Sequence, residues 1–167
     1  ARALDTLANL DTLVGYAPAD VTRVPLNGGD SALGNMIATA EETSRFFQML
    51  LDDGRYGDQQ IVSKLAVHRA TWETSPHRLD NTLKVPLRYS AGMMLGGEPF
   101  GLFGPHTGSA FGHLGLINIF AWADPERDLS VALLSTGKPL LAHNAPALIQ
   151  LLREINNQIP RGRRTRQ

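Results

Sequence analysis

One continuous stretch near the C-terminal end constrains this chain more than any other. Leu116-Ile-Asn-Ile-Phe-Ala-Trp-Ala123 is rich in β-branched and aromatic residues, and Leu129-Ser-Val-Ala-Leu-Leu-Ser135 is a second such run. Asp124-Pro-Glu-Arg-Asp128 between them carries turn chemistry. Two β runs around a short polar loop predict an antiparallel hairpin. Leu141 to Ile159 then places Leu148, Leu151, Leu152, Ile155 and Ile159 three or four apart. That is the period of a helix with one apolar face, and Pro146 is expected near its first turn. A hairpin followed by an amphipathic helix has to bury both apolar faces against each other or against a third layer.

The upstream sequence fits the same plan. Thr39 followed by Glu42 forms a capping box, and the broad apolar face around Phe46, Phe47, Met49, Leu50 and Leu51 predicts a helix. Gly54 is the expected C′ residue. Ser63 can cap a second helix that buries Leu65, Val67 and Trp72 and closes at Pro76. Residues 77–86 read as a loop, and Leu87 to Leu95 as one strand holding a close-approach Gly92. Residues 96–112 carry Gly96, Gly97, Gly101, Gly104, Gly108 and Gly112, a long glycine-rich loop of the kind that is more often functional than decorative. Helices segregated from an antiparallel sheet predict an α+β architecture.

Composition sets outer bounds. At 167 residues and 43% hydrophobic content the chain can bury a sizeable core. It has no cysteine, which excludes a thiolate nucleophile, a disulfide framework and a Cys-ligated metal site. No apolar run has the length of a membrane-spanning helix. Sixteen basic residues balance sixteen acidic ones, so no net field draws the chain to nucleic acid. Four of the basic residues (Arg161, Arg163, Arg164 and Arg166) fall in the last seven positions. Residues 1–160 are therefore expected to form one folded unit and 161–167 a disordered Arg-rich tail.

The chemistry concentrates where the glycine-rich loop meets the hairpin. Two triplets lie there, His106-Thr-Gly108 and His113-Leu-Gly115. In this stretch the chain resembles the serine hydrolases of the β-lactamase and penicillin-binding-protein family, especially their esterase-like members. Gly34 to Leu51 is similar to that family's small-residue turn leading into an S/T-A-x-D/E helix. Leu87 to Leu95 resembles its Y-G-x-G strand. Phe111-Gly-His-Leu-Gly, with Ala121-Trp-Ala-Asp-Pro-Glu126 and the run after it, is similar to its third motif and the following hairpin. The similarity runs from about Leu26 to Ile159.

The resemblance implies a β-lactamase/transpeptidase-like fold and acyl transfer through a serine acyl-enzyme, with an ester more expected than a β-lactam or a peptide. It implies no cofactor. His113, eleven residues before Asp124, is the expected third-motif residue, because counting from His106 would thread Gly108 and Gly112 through a strand. His113 would be substrate-side donor or proton relay, Gly115 would give access to the strand backbone, and the Leu116 N–H would be an oxyanion donor. His106 and Leu114 are candidate substrate contacts, although Leu114 replaces a hydroxyl residue often found there. His106, His113 and Asp124 match no dedicated metal spacing.

The nucleophile is expected elsewhere. The sole Ser-x-x-Lys is Ser135-Thr-Gly-Lys138. It holds a Gly and precedes Pro139, both unsuited to the helix on which that motif belongs. The chain is therefore expected to be the C-terminal part of a longer hydrolase, inactive alone. Its expected partners are a small-molecule ester and either the N-terminal half or a second copy, because the family's remaining strands would otherwise leave a sheet edge exposed. A non-catalytic ligand-binding or regulatory member of the same fold is the alternative reading.

Overall fold

A computed structural model describes residues 38–81, 83–115, 119–134 and 141–162. The first helix, α1 (Ala40–Leu51), starts as the capping box requires. The Glu42 N–H donates to Thr39 Oγ1 at 3.1 Å, and the Thr39 N–H donates to Glu42 Oε2 at 2.8 Å. Such a cap is worth about 1 kcal/mol. The helix ends one residue earlier than a C′ glycine predicts. Asp52 is the C-cap, Asp53 takes the left-handed φ of 56° and Gly54 follows at 85°. The Gly54 N–H returns to Met49 O at 2.8 Å and the Asp53 N–H to Leu50 O at 3.2 Å, which closes a Schellman turn.

A two-stranded ribbon, β1 (Arg55–Tyr56) and β2 (Gln59–Gln60), leads to α2 (Lys64–Thr71), capped by Ser63. Only Val67 of this eight-residue helix is buried; Leu65 is 59% and Trp72 62% exposed, against expectation. The helix is too short to bury a full stripe, and Trp72 leaves it as C-cap, stacked on His68 at 5.0 Å.

Eight more strands follow. They are β3 (Glu73–Leu79), β4 (Pro86–Ser90), β5 (Met94–Leu95), β6 (Phe100–Gly101), β7 (Gly104–Pro105), β8 (Phe111–Gly115), β9 (Ile119–Asp124) and β10 (Leu129–Leu133). Six of them form the main sheet in the order β10-β9-β8-β5-β4-β3, all neighbours antiparallel. β6 and β7 make a separate hairpin inside the glycine-rich stretch, and α3 (Leu141–Gln158) closes the fold.

Two expectations are corrected here. Residues 73–79 form a strand rather than a helix end and a loop, because pairing with β4 overrides a polar sequence. Pro76 and two register shifts mark β3 as an irregular edge strand. Leu87 to Leu95 is a tight hairpin and not one strand: Arg88 faces Leu95 and Tyr89 faces Met94. The β9–β10 hairpin forms as the sequence predicts, with Leu129 opposite Asp124. Pro146 sits inside α3 just past its first turn.

The sheet is the middle layer of three. On one face Phe111, Leu95, Ala121 and Ala123 pack against Phe47, Leu50 and Leu51 of α1 and Val67 of α2. On the other, Met94, Leu114, Phe120 and Trp122 pack with Phe103 of the β6–β7 hairpin and Leu152 of α3. The Phe103 ring stacks on Trp122 at 5.6 Å, and both are fully buried. Burying each large apolar side chain is worth about 1.5–3 kcal/mol. Asn156 Nδ2 fastens that hairpin to α3 by donating to Phe103 O at 2.7 Å.

Candidate active site

Strand alternation sorts the third-motif candidates. Phe111, His113 and Gly115 point to the α1 face of the sheet, and Gly112 and Leu114 to the α3 face. Helix α1 lies over β9 and β10. The His113 side chain, toward the end of β8, is exposed. Leu114 is 7% exposed and packs with Phe120 and Trp122 in the α3-side core. Leu114, expected as a substrate contact, has its side chain on the opposite face of the sheet from His113.

The edge of β8 supplies the second feature. On one side His113, Leu114 and Gly115 pair with Ala121, Phe120 and Ile119 of β9. On the other side β5 is only two residues long and reaches Phe111 and Gly112. Among the described residues, no strand pairs with His113–Gly115 on that edge. A Cβ on Gly115 would lie 3.3 Å from Ile119 Cβ, so a side chain there would crowd the β9 neighbour. Leu116 lies outside the described residues. The described strands on either side of it, β8 and β9, are separate and antiparallel, with Gly115 opposite Ile119, so the third-motif strand is not the one that ends at the Asp124 turn.

The His113 ring is oriented by the backbone. Its Nδ1 lies 2.9 Å from Leu114 O. A carbonyl can only accept, so Nδ1 carries the hydrogen of this contact and Nε2 is the ring nitrogen left outside it.

The Ser90-Ala-Gly-Met93 turn stands beside this edge. Continuing the register of Met94 opposite Gly112 brings Met93 alongside His113. Ser90, buried at 7% exposure, builds the turn. Its Oγ donates to Ala70 O at 2.5 Å and accepts the Met93 N–H at 2.8 Å, while its own N–H donates to Met93 O at 2.9 Å. Sequence reading misses this turn because a side-chain hydroxyl, not a Gly-Asn type signal, makes it.

His106 belongs to a different cluster, at the opposite end of β8. Asp124 is three residues along β9 from Ala121, the partner of His113, which is about 10 Å of strand. The buried Asp124 carboxylate pairs with Arg127 at 2.6 Å; their side chains are 0% and 4% exposed. Arg127 also donates to Ile159 O at 3.0 Å and to His106 O at 2.8 Å. His106 Nδ1 lies 3.0 Å from Glu98 Oε2, and Glu98 also pairs with Arg161. That hydrogen bond from His106, then those from Arg161 and the Gly108 N–H, hold the Glu98 carboxyl below its ordinary range against a smaller desolvation effect. The structure does not bring His106 and His113 together.

Arg161 also reaches Glu126 at 3.0 Å, and the Gly162 N–H donates to Glu126 O at 2.9 Å. Of the expected disordered tail, Arg161 is thus fastened to the folded body by ion pairs and Gly162 by a backbone hydrogen bond; 163–167 lie outside the described residues.

The Tyr89 hydroxyl is bonded within the fold. Tyr89 donates to Asp80 Oδ2 at 2.7 Å, and burial, reinforced by that carboxylate, pushes its phenol up to about 12. Such a phenol cannot serve as a base near neutral pH. Ser135-Thr-Gly-Lys138 lies outside the described residues. Arg88, the largest charged group near the turn, is committed elsewhere. It forks onto Glu73 at 3.0 and 2.7 Å, holding that carboxyl below its usual range, and donates to Gly96 O and Gly108 O. Among the described residues, no group of three or more His, Asp or Glu is placed to hold a metal ion. No described helix is long and apolar enough to cross a membrane.

A helix-flanked antiparallel sheet with a histidine on an open strand edge is the β-lactamase/transpeptidase-like architecture. A family model described as Beta-lactamase matches residues 6–153, and the chain belongs to that family. It is 29% identical over 122 residues to the esterase/beta-lactamase LipL of Mycobacterium tuberculosis (strain ATCC 25618 / H37Rv). The match covers 71% of this chain and 27% of that protein. Among solved structures, it is similar to a penicillin-binding protein homologue from Caulobacter crescentus, with a TM-score of 0.59 at 24% identity over 84% of this chain and 40% of the other. It is also similar to a family VIII carboxylesterase, with a TM-score of 0.56 at 19% identity over 72% of this chain and 34% of the other. The chain thus spans well under half the length of each of these relatives.

Proposed function

We propose that this chain forms the sheet-side wall of an ester-hydrolysing site that works through a serine acyl-enzyme. The observation that carries the reading is His113. Its ring is exposed at the open edge of β8, with Nδ1 tied to Leu114 O and Nε2 left outside that contact. In this reading Nε2 relays the proton between the attacking and leaving groups. The unpaired edge of His113–Gly115 receives the substrate as an added strand would, and the Leu116 N–H donates to the oxyanion. One such donor is worth roughly 3 kcal/mol in the transition state. The nucleophile and its lysine come from outside this sequence, whose one Ser-x-x-Lys sits at 135–138. The small share of each relative that the chain covers supports this. Strand β10 is one of the sheet's two edges among the described residues, which supports completion of the sheet by the rest of the protein or by a second copy.

The test is hydrolysis of p-nitrophenyl esters by the complete protein. His113→Ala is expected to lower kcat/KM by about a hundredfold or more, the scale of acid–base assistance. Its unfolding free energy should shift by less than about 0.5 kcal/mol, as an exposed site implies. Unchanged turnover in His113→Ala, or no turnover in the parent, would overturn the reading. Retained binding without turnover would favour the ligand-binding alternative.

A further inference from the structure

Strand β8 is held unequally on its two sides. Toward β9 it makes five consecutive pairs, from Phe111 opposite Ala123 to Gly115 opposite Ile119. Toward β5 it makes two, Met94 opposite Gly112 and Leu95 opposite Phe111. The flanking chain on that side holds Gly96, Gly97 and Gly108, and a short glycine-rich ladder specifies its register weakly. Where this ladder stops decides how much of the edge at His113–Gly115 is free. Leu95 is buried in the α1-side core, so a slip by one residue would turn it out of that core. A slip by two, about 7 Å of strand, keeps the facing of every side chain. In one direction it lays Leu95 beside His113 and Met93 beside Gly115, which closes the edge.

Arg88 is placed to prevent that slip. Arg88, Leu95 and Phe111 lie side by side on β4, β5 and β8. One nitrogen of Arg88, Nη1, donates to Gly96 O at 2.9 Å, just past β5, and to Gly108 O at 3.2 Å, three residues before β8. These carbonyls belong to the two chains of the ladder, so sliding one chain against the other takes a carbonyl out of reach. The rest of the guanidinium is fixed by Glu73 of β3, with Nε at 3.0 Å and Nη2 at 2.7 Å from its two carboxylate oxygens. The planar fork of arginine holds all of these acceptors in set directions, which a lysine ammonium does not. Two backbone bonds accompany it, Gly96 N–H to Ala110 O at 2.8 Å and Thr107 N–H to Gly97 O at 3.2 Å.

We propose that Arg88 is a positioning residue of the ester site: by bridging Gly96 O and Gly108 O it stops the β4–β5 hairpin short of His113 and keeps the edge of His113–Gly115 open to substrate. This rests on the ester-hydrolase reading above and adds to it the residue that sets the extent of the binding edge. His113 itself is held by β9, so the signature of Arg88 falls on KM and not on kcat.

The test is kcat and KM for p-nitrophenyl butyrate in the complete protein and in Arg88→Met, Arg88→Lys and Glu73→Gln, with amide hydrogen exchange alongside. For Arg88→Met, KM is expected to rise about tenfold with kcat within about twofold, the effect of losing one or two backbone hydrogen bonds to the substrate. Arg88→Lys can reach a carbonyl but cannot also fork onto Glu73, and should not restore the parent KM. Glu73→Gln leaves the arginine in place and loosens it; a smaller rise in KM there keeps the question decidable if Arg88→Met fails to fold. Exchange should quicken at Met94, Leu95 and Gly96 and stay unchanged from Ile119 to Asp124. A fall in kcat at unchanged KM, as a smaller folded fraction gives, would mark a purely structural role and overturn the proposal. So would a parent-like KM in every folded variant; the ester reading itself would then stand. If the parent does not hydrolyse the ester, that reading falls and this proposal falls with it.

Discussion

At one end of the six-stranded sheet a cluster of described charged groups is paired; at the other, among the described residues, an exposed histidine lies on a strand edge with no strand partner. The closed end joins Asp124, Arg127, Glu98, His106 and Arg161 through ion pairs and backbone carbonyls. The open end holds His113, Gly115 and the Ser90–Met93 turn, where the β5 ladder stops short. Both ends carry a His-x-Gly triplet, so residue type alone does not separate them. The difference lies in what is already bonded. A polar group spent on the fold is unavailable for chemistry, and a backbone edge with no strand partner is available by default.

The sharpest test of this contrast is at the closed end. Asp124→Ala leaves the Arg127 guanidinium buried with its carboxylate gone. Breaking a buried pair from one side costs about 3–5 kcal/mol. Equilibrium denaturant unfolding should show a loss of that size, against almost none for His113→Ala. Similar small losses for both would mean that the two ends are not built differently, and the assignment of His106 to structure would go with them.

The sequence discloses the contrast only in part. The β9–β10 hairpin, the capping box at Thr39 and the apolar stripe of α3 are legible because each is a local pattern whose period or cap matches its final structure. Strand continuity favours His113 over His106. Both rings are exposed, so exposure does not decide between them, and the counting behind the preference is inexact, since β8 and β9 are separate strands. What stays hidden depends on distant partners. Strand β3 is polar and holds Pro76, and only pairing with β4 makes it a strand. Leu114 reads as a substrate contact until the sheet's alternation turns it into the core. The buried Asp124–Arg127 pair has a signal in Asp-Pro-Glu-Arg, because a turn aspartate commonly accepts the N–H two residues on, as Asp124 Oδ1 does from Glu126 at 3.0 Å. Nothing local foretells that Ile159 O and His106 O converge on the same arginine.

The open end should be tested for being open yet ordered. Ser90→Ala removes the hydroxyl that donates to Ala70 O and accepts the Met93 N–H. Groups at the exposed tip can turn to water, but the Ala70 carbonyl loses its donor. The expected cost is about 1–2 kcal/mol, between that of an exchanged hydrogen bond and a stranded buried group. Hydrogen exchange should rise at Gly92 and Met93 and leave Asp124 to Asp128 unchanged. Faster exchange at both ends would show that they do not act as separate structural units.

The smallest effect is a pH dependence at the closed end. His106, Arg161 and the Gly108 N–H face the Glu98 carboxyl and hold it below its ordinary value of 4.5. A carboxyl lowered in the folded state binds its proton more weakly there than in the unfolded chain. It therefore adds stability above that ordinary value, and the increment is lost as pH falls through the lowered folded value. Glu98→Gln keeps the shape and removes the charge. Above the ordinary glutamate range the variant should be slightly less stable than the parent, and the gap should close on the acid side. The effect is modest, since the Glu98 side chain is 47% exposed and its pairs are screened by solvent. Raising the salt concentration should narrow the gap at neutral pH in the same way, whereas Asp124→Ala, acting on a pair sealed from water, should keep its full deficit in salt. A salt-sensitive Asp124→Ala deficit would place that pair in solvent and dissolve the distinction between a closed end and an open one.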